Sequence, residues 1–537
     1  MSKTIYLTTP LYYVNAAPHI GHSYTQVAAD CMARYSRLKG MDTFLLTGTD
    51  EHGQKIAQAA AAAGQPPQAF VDGVVRHFEI LWKRLNIGYD DFIRTTQARH
   101  VEAVQRILAK LRDDGALTRS AYQGWYCTPD ETFWTDVELG VPPTGAAPLC
   151  PTCGRALEPV EEQGWHLPLR AHQPWLLAFV KAHPRFVQPQ TRYNELMSVL
   201  EGPLPESLCI TRPKSRVAWG IEVPFDPSCV VYVWIDALLN YITVPGYRGE
   251  AASTEAFRRL WPANIHFIGK DILRHHALYW PILLHALGFP DELMPSSIFA
   301  HGHWKVGEQK MSKSLGNIID PLIVMDQLLK GQPYAADIYR YFLLREVPFG
   351  QDGSFSDDGL LGRLGAELGN DLGNLINRTC SMVERYAGGR MPPMASGGLS
   401  SSVPEDQAMW EAATGMGSAV DEAMGEFAYA SALEAIMAVV SRANRYIEES
   451  APWKLAKDTG QRARLDAVLR LLAETIRLVA ILLQPFMPSV AEEILRQLGD
   501  EPGPRSLHEA ATLPGLTTGR PLADHPVLFP RMERQGG

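Results

Sequence analysis

Two clusters of residues in this chain have the types and spacing to handle a polyphosphate. The first, His19-Ile20-Gly21-His22, follows an apolar strand-like run, Thr4–Thr9, and a loop through Pro10, and it opens a helical pattern. Imidazoles donate hydrogen bonds to phosphate oxygens, a helix start adds unpaired N–H groups and partial positive charge, and Gly21 lets a ligand lie close to the backbone. The second, Lys310-Met311-Ser312-Lys313-Ser314-Leu315-Gly316-Asn317, puts two lysines in a Ser/Gly-rich loop. Such a loop suits a clamp that neutralises charge developing on a departing pyrophosphate. Each alone has a plain alternative, surface histidines at a helix start or a solvated lysine loop; the two together, each beside a strand terminus, point to nucleotide chemistry. A carboxylate comes next: Asp50-Glu51-His52-Gly53 follows the apolar strand Thr43–Thr47, which puts Asp50 at the carboxyl edge of a sheet, where such folds bind ligands. Last are metal-type donors, Cys127-Thr128-Pro129-Asp130 and Cys150-Pro151-Thr152-Cys153-Gly154. Three thiolates plus Asp130 make a workable tetrahedral zinc set, although aspartate is a harder donor than cysteine; the alternative is a decayed knuckle with three free thiols. Cys31, Cys209, Cys229 and Cys380 have no partner at ligand spacing and are expected in the core.

These residues need a scaffold. A chain of 537 residues, 46% apolar and 20% charged, has room for roughly three to four domains with substantial cores, and wholesale disorder is excluded. Strand signals at Thr4–Thr9 and Thr43–Thr47 alternate with helical patterns at Ser23–Lys39, Pro67–Arg84 and His100–Asp113, implying parallel βαβ units. Scattered Trp, Cys, Pro and Gly from about Ala121 to Pro224 read as an insertion, after which strands resume at Val230–Ile235, Asn264–Ile268 and Ser297–Ala300. Beyond Gly359 the patterns are helical only, over Leu361–Tyr386, Gln407–Ser450 and Arg462–Leu498, with Gly388–Pro404 as a joining loop, which predicts a helix bundle. The fold class expected is therefore a Rossmann-like parallel α/β sheet split by a knuckle-bearing insertion and followed by an all-α domain. Its expected boundaries are 1–120 and 225–300 for the two sheet halves, 121–224 for the insertion, 301–360 for a stem-contact region with the lysine loop, 361–500 for the bundle and 501–537 for a tail.

The histidine and lysine elements together resemble the two signatures of the class I aminoacyl-tRNA synthetases. Pro10-Leu11-Tyr12-Tyr13-Val14-Asn15, Thr47-Gly48-Thr49-Asp50-Glu51-His52-Gly53, Val233-Trp234-Ile235-Asp236-Ala237 and Gly269-Lys270-Asp271-Ile272 look like the methionyl-tRNA synthetase family, over nearly the whole chain. The resemblance implies an ATP-dependent ligase that forms methionyl-adenylate and charges tRNA(Met). It implies that His19, His22 and Lys313, with Lys310 assisting, stabilise attack of the methionine carboxylate on the ATP α-phosphate, with Gly21 and Ser312 also at the nucleotide and Mg²⁺ bound with ATP. Leu11, Tyr13, Trp234, Leu238, Tyr241, His275, His276 and Trp280 would wall the side-chain pocket, Asp50 would hold the ammonium, and Asn374, Arg378 and Trp453 would read the anticodon. Zinc on Cys127, Asp130, Cys150 and Cys153 fits the knuckles that this family often carries in its insertion. The chemistry suits a thioether, which is apolar, polarizable and a weak acceptor.

Rival readings have discriminating features. A cysteinyl enzyme of the same class keeps its zinc in the amino-acid pocket, whereas these knuckles lie in an insertion. A catalytically silent tRNA-binding protein would not need His19, His22, Lys310 and Lys313, and a small nucleotidyltransferase would not need the helical half. The insertion is too small for the hydrolytic editing domain of related enzymes. The formal charge of −9 excludes a generally sticky nucleic-acid binder and leaves tRNA to a local set on the helical domain, with Arg378, Arg442, Arg445 and Lys454 as candidates. No signal-peptide pattern opens the chain, and the greasiest helix, Leu465–Leu483, is broken by Arg470, Glu474 and Arg477, so a cytoplasmic protein without membrane contact is expected. The chain stops soon after Val527–Met532, without a dimerisation module, which favours a monomer.

Overall fold

The apolar run Ile5–Thr8 is hydrogen-bonded in parallel to Thr43–Asp50 on one side and to Ile265–Gly269 on the other. The structure, a computed structural model, describes residues 4–134, 136–139, 147–250, 254–306, 309–310, 318–393, 403–500, 503, 505–511 and 514–532. They fall into two units, Met1–Pro18 with Asp42–Leu81 and Tyr89–Gly302, and His19–Met41 with Trp82–Gly88 and His303–Gly537.

The first unit holds a parallel sheet of seven strands in the order Tyr12–Tyr13, Thr43–Asp50, Ile5–Thr8, Ile265–Gly269, Ile298–His301 and Val187–Gln188, with Asp91–Arg94 also pairing Thr43–Asp50. Its central strands are buried along their length, so they read as continuous apolar runs rather than alternating ones. Strand order reverses at Ile5–Thr8, so ligands belong at the carboxyl ends of this strand and its neighbours. Gly48 is forced: a Cβ there would lie 1.9 Å from the Ile93 carbonyl oxygen, and only glycine lets Asp91–Arg94 pair so closely.

Two stretches differ from the sequence expectation. The apolar run Val230–Ile235, expected as a sheet strand, is split. Cys229–Val231 pairs antiparallel with Thr211–Pro213, and Val233–Thr243 is a buried helix; a short apolar run does not separate buried strand from buried helix. The span 121–224 is not wholly an insertion. Thr132–Trp134, Thr118–Cys127, Glu158–Pro168 and Ser207–Cys209 form their own antiparallel sheet. Yet helices Gln173–Ala182 and Gln190–Glu201 flank Val187–Gln188, which returns to the parallel sheet beside Ile298–Phe299.

The second unit opens with helix Ile20–Leu38. Contiguous in sequence with the first strand, it is tied to distant residues by buried polar contacts. Asp30 and Arg340, both fully buried, are 2.7 Å apart, and Arg340 also donates to the carbonyls of Leu85, Pro485 and Phe486. The Tyr429 hydroxyl donates to the Ala28 carbonyl at 2.9 Å. These pairings carry the helix into the unit of the C-terminal half, where the boundary 1–120 had placed it with the sheet. The bundle follows as helices Asp357–Arg363, Leu364–Gly373 (a run of wide turns), Asn374–Ala387, Pro404–Gly425, Tyr429–Ser450, Arg462–Leu483 and Pro488–Gln497. The periodic stretch Gln407–Ser450 is two helices, broken near Phe427 at φ +57°, and Arg462–Leu498 breaks at Pro485 and Pro488, as a missing N–H and ring clash require. The arginine and glutamate interrupting the greasy helix are a buried pair: Arg470 meets Glu474 at 2.9 Å, and Glu474 accepts the N–H groups of Gly515 and Leu516, pinning the irregular tail.

Candidate functional site

In the first unit, Asp50 ends strand Thr43–Asp50, at the carboxyl edge as expected. It is almost wholly buried, and its Oδ1 has no hydrogen-bond partner among the described residues. Burial, then the charges of Asp236 and Glu131, push its carboxyl well above the usual carboxylate range. The His52 N–H is its backbone hydrogen-bond donor, and a buried carboxylate with an open oxygen is unfavourable in its charged form unless a cation pairs with it. Beside it, Tyr12–Tyr13 pairs with Thr49–Asp50, and the Tyr13 hydroxyl donates to Glu131 Oε1 at 3.2 Å.

The aromatic set expected around a thioether is carried by two elements. Helix Val233–Thr243 supplies Trp234, Leu238 and Tyr241. The segment after strand Ile265–Gly269 supplies His275 and His276 in one wide i→i+5 turn, with Trp280 opening the next helix. Wide turns of this kind recur at functional sites because they shift side chains off the regular 3.6-residue face. Trp234 stacks on His275 with ring centres 3.8 Å apart, and Tyr241 meets Trp280 edge-on at 5.8 Å. The Tyr241 hydroxyl is 2.9 Å from His276 Nε2, and His276 Nδ1 is 3.0 Å from the Ile272 carbonyl oxygen. Burial lowers the His276 pKa to about 4 and that of His275 well below the ordinary value, so both rings are neutral. Neither nitrogen of His275 has a hydrogen-bond partner among the described residues. Leu11 packs half-buried against the same core.

Several contributors were not singled out from the sequence. Asp236 accepts from His52 Nδ1 at 2.7 Å and His100 Nε2 at 2.8 Å, and these imidazoles hold its carboxyl below the usual range despite full burial. Glu131, at φ +51°, receives Tyr13, Tyr126 and the Lys55 N–H. Glu51 takes both arms of Arg94. Glu51, His52 and Asp236 lie within stretches that carry the resemblance, and Glu131 follows the knuckle Asp130, but no local pattern marked their contacts.

The knuckles close into a cluster. Cys127, Asp130, Cys150 and Cys153 hold their donor atoms within 4.8 Å of one another. Asp130 Oδ2 is 3.5 Å from Cys127 Sγ and 3.2 Å from Cys150 Sγ, and Cys127 and Cys153 sulfurs are 3.5 Å apart. Zinc–sulfur bonds of about 2.3 Å in a tetrahedron put neighbouring donors about 3.8 Å apart, so this set fits zinc with slight expansion. The turn is backbone-built: the Cys150 N–H donates to the Arg155 carbonyl and the Gly154 N–H to that of Cys150, with Gly154 at φ +72°. Cys31, Cys209, Cys229 and Cys380 are buried, as expected.

In the second unit, His19 caps helix Ile20–Leu38. Its Nδ1 accepts from the Gly21 N–H at 3.1 Å, and His22 Nδ1 accepts from the His19 N–H at 3.1 Å. This reciprocal cap fixes both tautomers: with Nδ1 as acceptor, the neutral ring carries its proton on Nε2, a donor fit for phosphate oxygen. The rings lie 4.0 Å apart. Lys310 sits in the short strand Gln309–Lys310, antiparallel to Trp304–Val306; Ser312 and Lys313 lie outside the described residues.

The RNA candidates share the bundle. Asn374 is exposed at the start of its helix, with Nδ2 3.5 Å from Asn444 Oδ1. Arg378 pairs with Glu448 at 2.6 Å and Arg442 with Glu449 at 2.8 Å, so this face is less positive than its arginine count suggested. Ala451, at φ +43°, ends one helix, and Pro452–Leu455 starts the next with Trp453 half-buried and Lys454 exposed.

Comparison with known proteins agrees with this layout. The model of class I tRNA synthetases (M) matches residues 5–380, and that of the anticodon binding domain of methionyl tRNA ligase matches 396–536. Methionine–tRNA ligase of Caldanaerobacter subterraneus subsp. tengcongensis is 45% identical, covering 99% of this chain and 80% of that one; its counterpart in Halalkalibacterium halodurans is 44% identical over 99% and 79%. Mycobacterium tuberculosis methionyl-tRNA synthetase in complex with methionyl-adenylate superimposes with a TM-score of 0.91 at 41% identity, covering 99% of this chain and 100% of that one. Its free form gives 0.84 at 37% identity, over 99% of each chain. With matched models spanning both halves and relatives this similar over nearly its whole length, the chain belongs to the methionyl-tRNA synthetase family of class I tRNA synthetases.

Proposed function

We propose that this protein activates L-methionine with ATP to methionyl-adenylate, releasing pyrophosphate, and then transfers methionyl to the 3′ end of tRNA(Met), initiator and elongator. The observation that carries the reading is Asp50: a buried carboxylate at the sheet's carboxyl edge whose Oδ1 has no partner among the described residues, in a unit that also supplies an aromatic, weakly polar set suited to a thioether. Asp50 binds the substrate ammonium. Leu11, Tyr13, Trp234, Leu238, Tyr241, His275, His276 and Trp280 enclose the side chain. The methionine carboxylate is already ionised at neutral pH, so the first step needs no protein base, only positioning and charge stabilisation. The Nε2–H groups of His19 and His22 donate to phosphate oxygens beside the Gly21 backbone, and Lys310, Ser312 and Lys313 act on the leaving pyrophosphate. Mg²⁺ accompanying ATP would supply charge neutralisation at the triphosphate.

Cys127, Asp130, Cys150 and Cys153 would hold a structural zinc, and Asn374, Arg378 and Trp453 are the residues we assign to anticodon reading. We read the chain as a monomeric, cytoplasmic enzyme organised by the six segments given above, with helix Ile20–Leu38 grouped with the second unit and Val187–Gln188 with the parallel sheet. No helix among the described residues is long and apolar enough to cross a membrane. Amino-acid-dependent ATP–pyrophosphate exchange across the twenty amino acids tests the proposal. Methionine is expected to give the highest kcat/KM, and preference for any other amino acid overturns it.

A further inference from the structure

His266 lies in the middle of the parallel sheet, in strand Ile265–Gly269, with no exposed surface. An imidazole so placed needs partners for both nitrogens, and it has them. Nδ1 is 2.6 Å from Thr8 Oγ1 on the adjacent strand, and Nε2 is 3.3 Å from Trp280 Nε1. The indole nitrogen can only donate, so His266 Nε2 must offer its lone pair. Burial drives the His266 pKa well below its ordinary value, so the ring is neutral and its single proton sits on Nδ1, donated to the Thr8 hydroxyl. One tautomer satisfies both contacts, and it fixes the direction of the Trp280 N–H. The same ring lies 4.3 Å from the Tyr241 ring, which in turn meets Trp280 edge-on.

We propose that His266 is a positioning residue for amino-acid selection: it accepts the Trp280 N–H and so holds the indole at the angle at which it closes the methionine side-chain pocket. The proposal rests on the reading that Trp280 is a wall of that pocket. The strand carries the constraint. Thr8 pairs with His266 in the sheet register, so the indole is referenced to the rigid sheet rather than to its own helix. Without the acceptor, the indole N–H stays buried and unpaired, and the ring is free to seek another rotamer.

Methionine-dependent exchange on the full chain tests this, with the KM values for methionine and ATP and the methionine-to-norleucine ratio as readouts. Trp280→Ala should raise the methionine KM and leave the ATP KM unchanged. His266→Leu should raise the methionine KM about three- to tenfold, the size of one lost buried hydrogen bond, and lower the methionine-to-norleucine ratio, again without moving the ATP KM. His266→Gln, whose amide oxygen can accept the indole N–H, should recover most of the loss. Adding Trp280→Phe to His266→Leu should change the methionine KM less than Trp280→Phe does alone, because the shared bond is already gone. If His266→Leu does not fold, His266→Asn replaces it, its shorter amide meeting Thr8 but not the indole. Wild-type methionine KM in His266→Leu beside a raised one in Trp280→Ala overturns the positioning role and leaves the pocket reading intact. An unchanged methionine KM in Trp280→Ala overturns the pocket reading itself.

Discussion

Asp50 shows how burial makes the charge of a single side chain costly to the folded state. Its folded carboxyl holds a proton more tightly than the unfolded one, because burial and the nearby Asp236 and Glu131 oppose its charge. The contribution of this group is therefore most favourable below its unfolded pKa, and stability falls as pH rises toward the folded value. The proposed substrate ammonium would offset that opposition. Asp50→Asn should accordingly keep or gain melting temperature at pH 7–8 and lose methionine-dependent exchange about a hundredfold or more, the scale of removing one partner from a buried charge pair. Methionine should raise the melting temperature of the wild type but not of the variant; a variant that still responds to methionine would remove Asp50 from the ammonium site. Asp50 was legible because a carboxylate directly after an apolar strand is a local signal. The charges that oppose it were not: Glu131 and Asp236 reach the neighbourhood from segments far along the chain, and no local pattern specifies the contact with Asp50.

At the scale of elements, the knuckles show what short spacing encodes. Cys127-x-x-Asp130 and Cys150-x-x-Cys153 each form a tight turn by local hydrogen bonding, and that predetermines two donors per turn. Bringing the two turns within 4.8 Å falls to the surrounding sheet, in which Thr118–Cys127 pairs with both Thr132–Trp134 and Glu158–Pro168. Protein purified without chelator is expected to carry about one zinc per chain, and Asp130→Ala or Cys150→Ala to reduce that content and lower the melting temperature; zinc well below one equivalent in the wild type would leave the set as free thiols and a carboxylate. The signature helix is the opposite case. Its start was readable from His19 to His22, and the two caps turn those histidines into defined Nε2 donors. The wide turn at His275–Tyr279 gave no such signal, since its departure from regular helix has no residue pattern of its own.

At the scale of the whole molecule, the proposed activation and anticodon residues are different sets: the methionine candidates lie in the first unit, and His19, His22 and Trp453 in the second. Trp453→Ala is thus expected to lower tRNA charging strongly while leaving ATP–pyrophosphate exchange near wild type, as loss of a base-stacking platform worth about 1–3 kcal/mol would do; equal losses in both assays would remove Trp453 from the anticodon surface. The net charge of −9 is consistent with such a local interface, and the ion pairs Arg378–Glu448 and Arg442–Glu449 offset part of its positive charge.

The amino-acid sequence by itself determined the chemical candidates: the paired histidines at a helix start, the lysine loop, the sheet-edge carboxylate, the knuckles and the switch from alternating strands and helices to helices only. Each is written within a few residues, or in a periodicity that local backbone geometry dictates. Only the tertiary structure decided which distant partners complete them. It carried helix Ile20–Leu38 into the unit of Arg340 and Tyr429, returned Val187–Gln188 to the parallel sheet, made a helix of Val233–Thr243, and gave His266 the indole of Trp280. The reason is that burial and hydrogen-bond satisfaction are properties of the assembled chain: a buried donor must find an acceptor wherever packing has put one, and its distance along the sequence carries no trace of the choice.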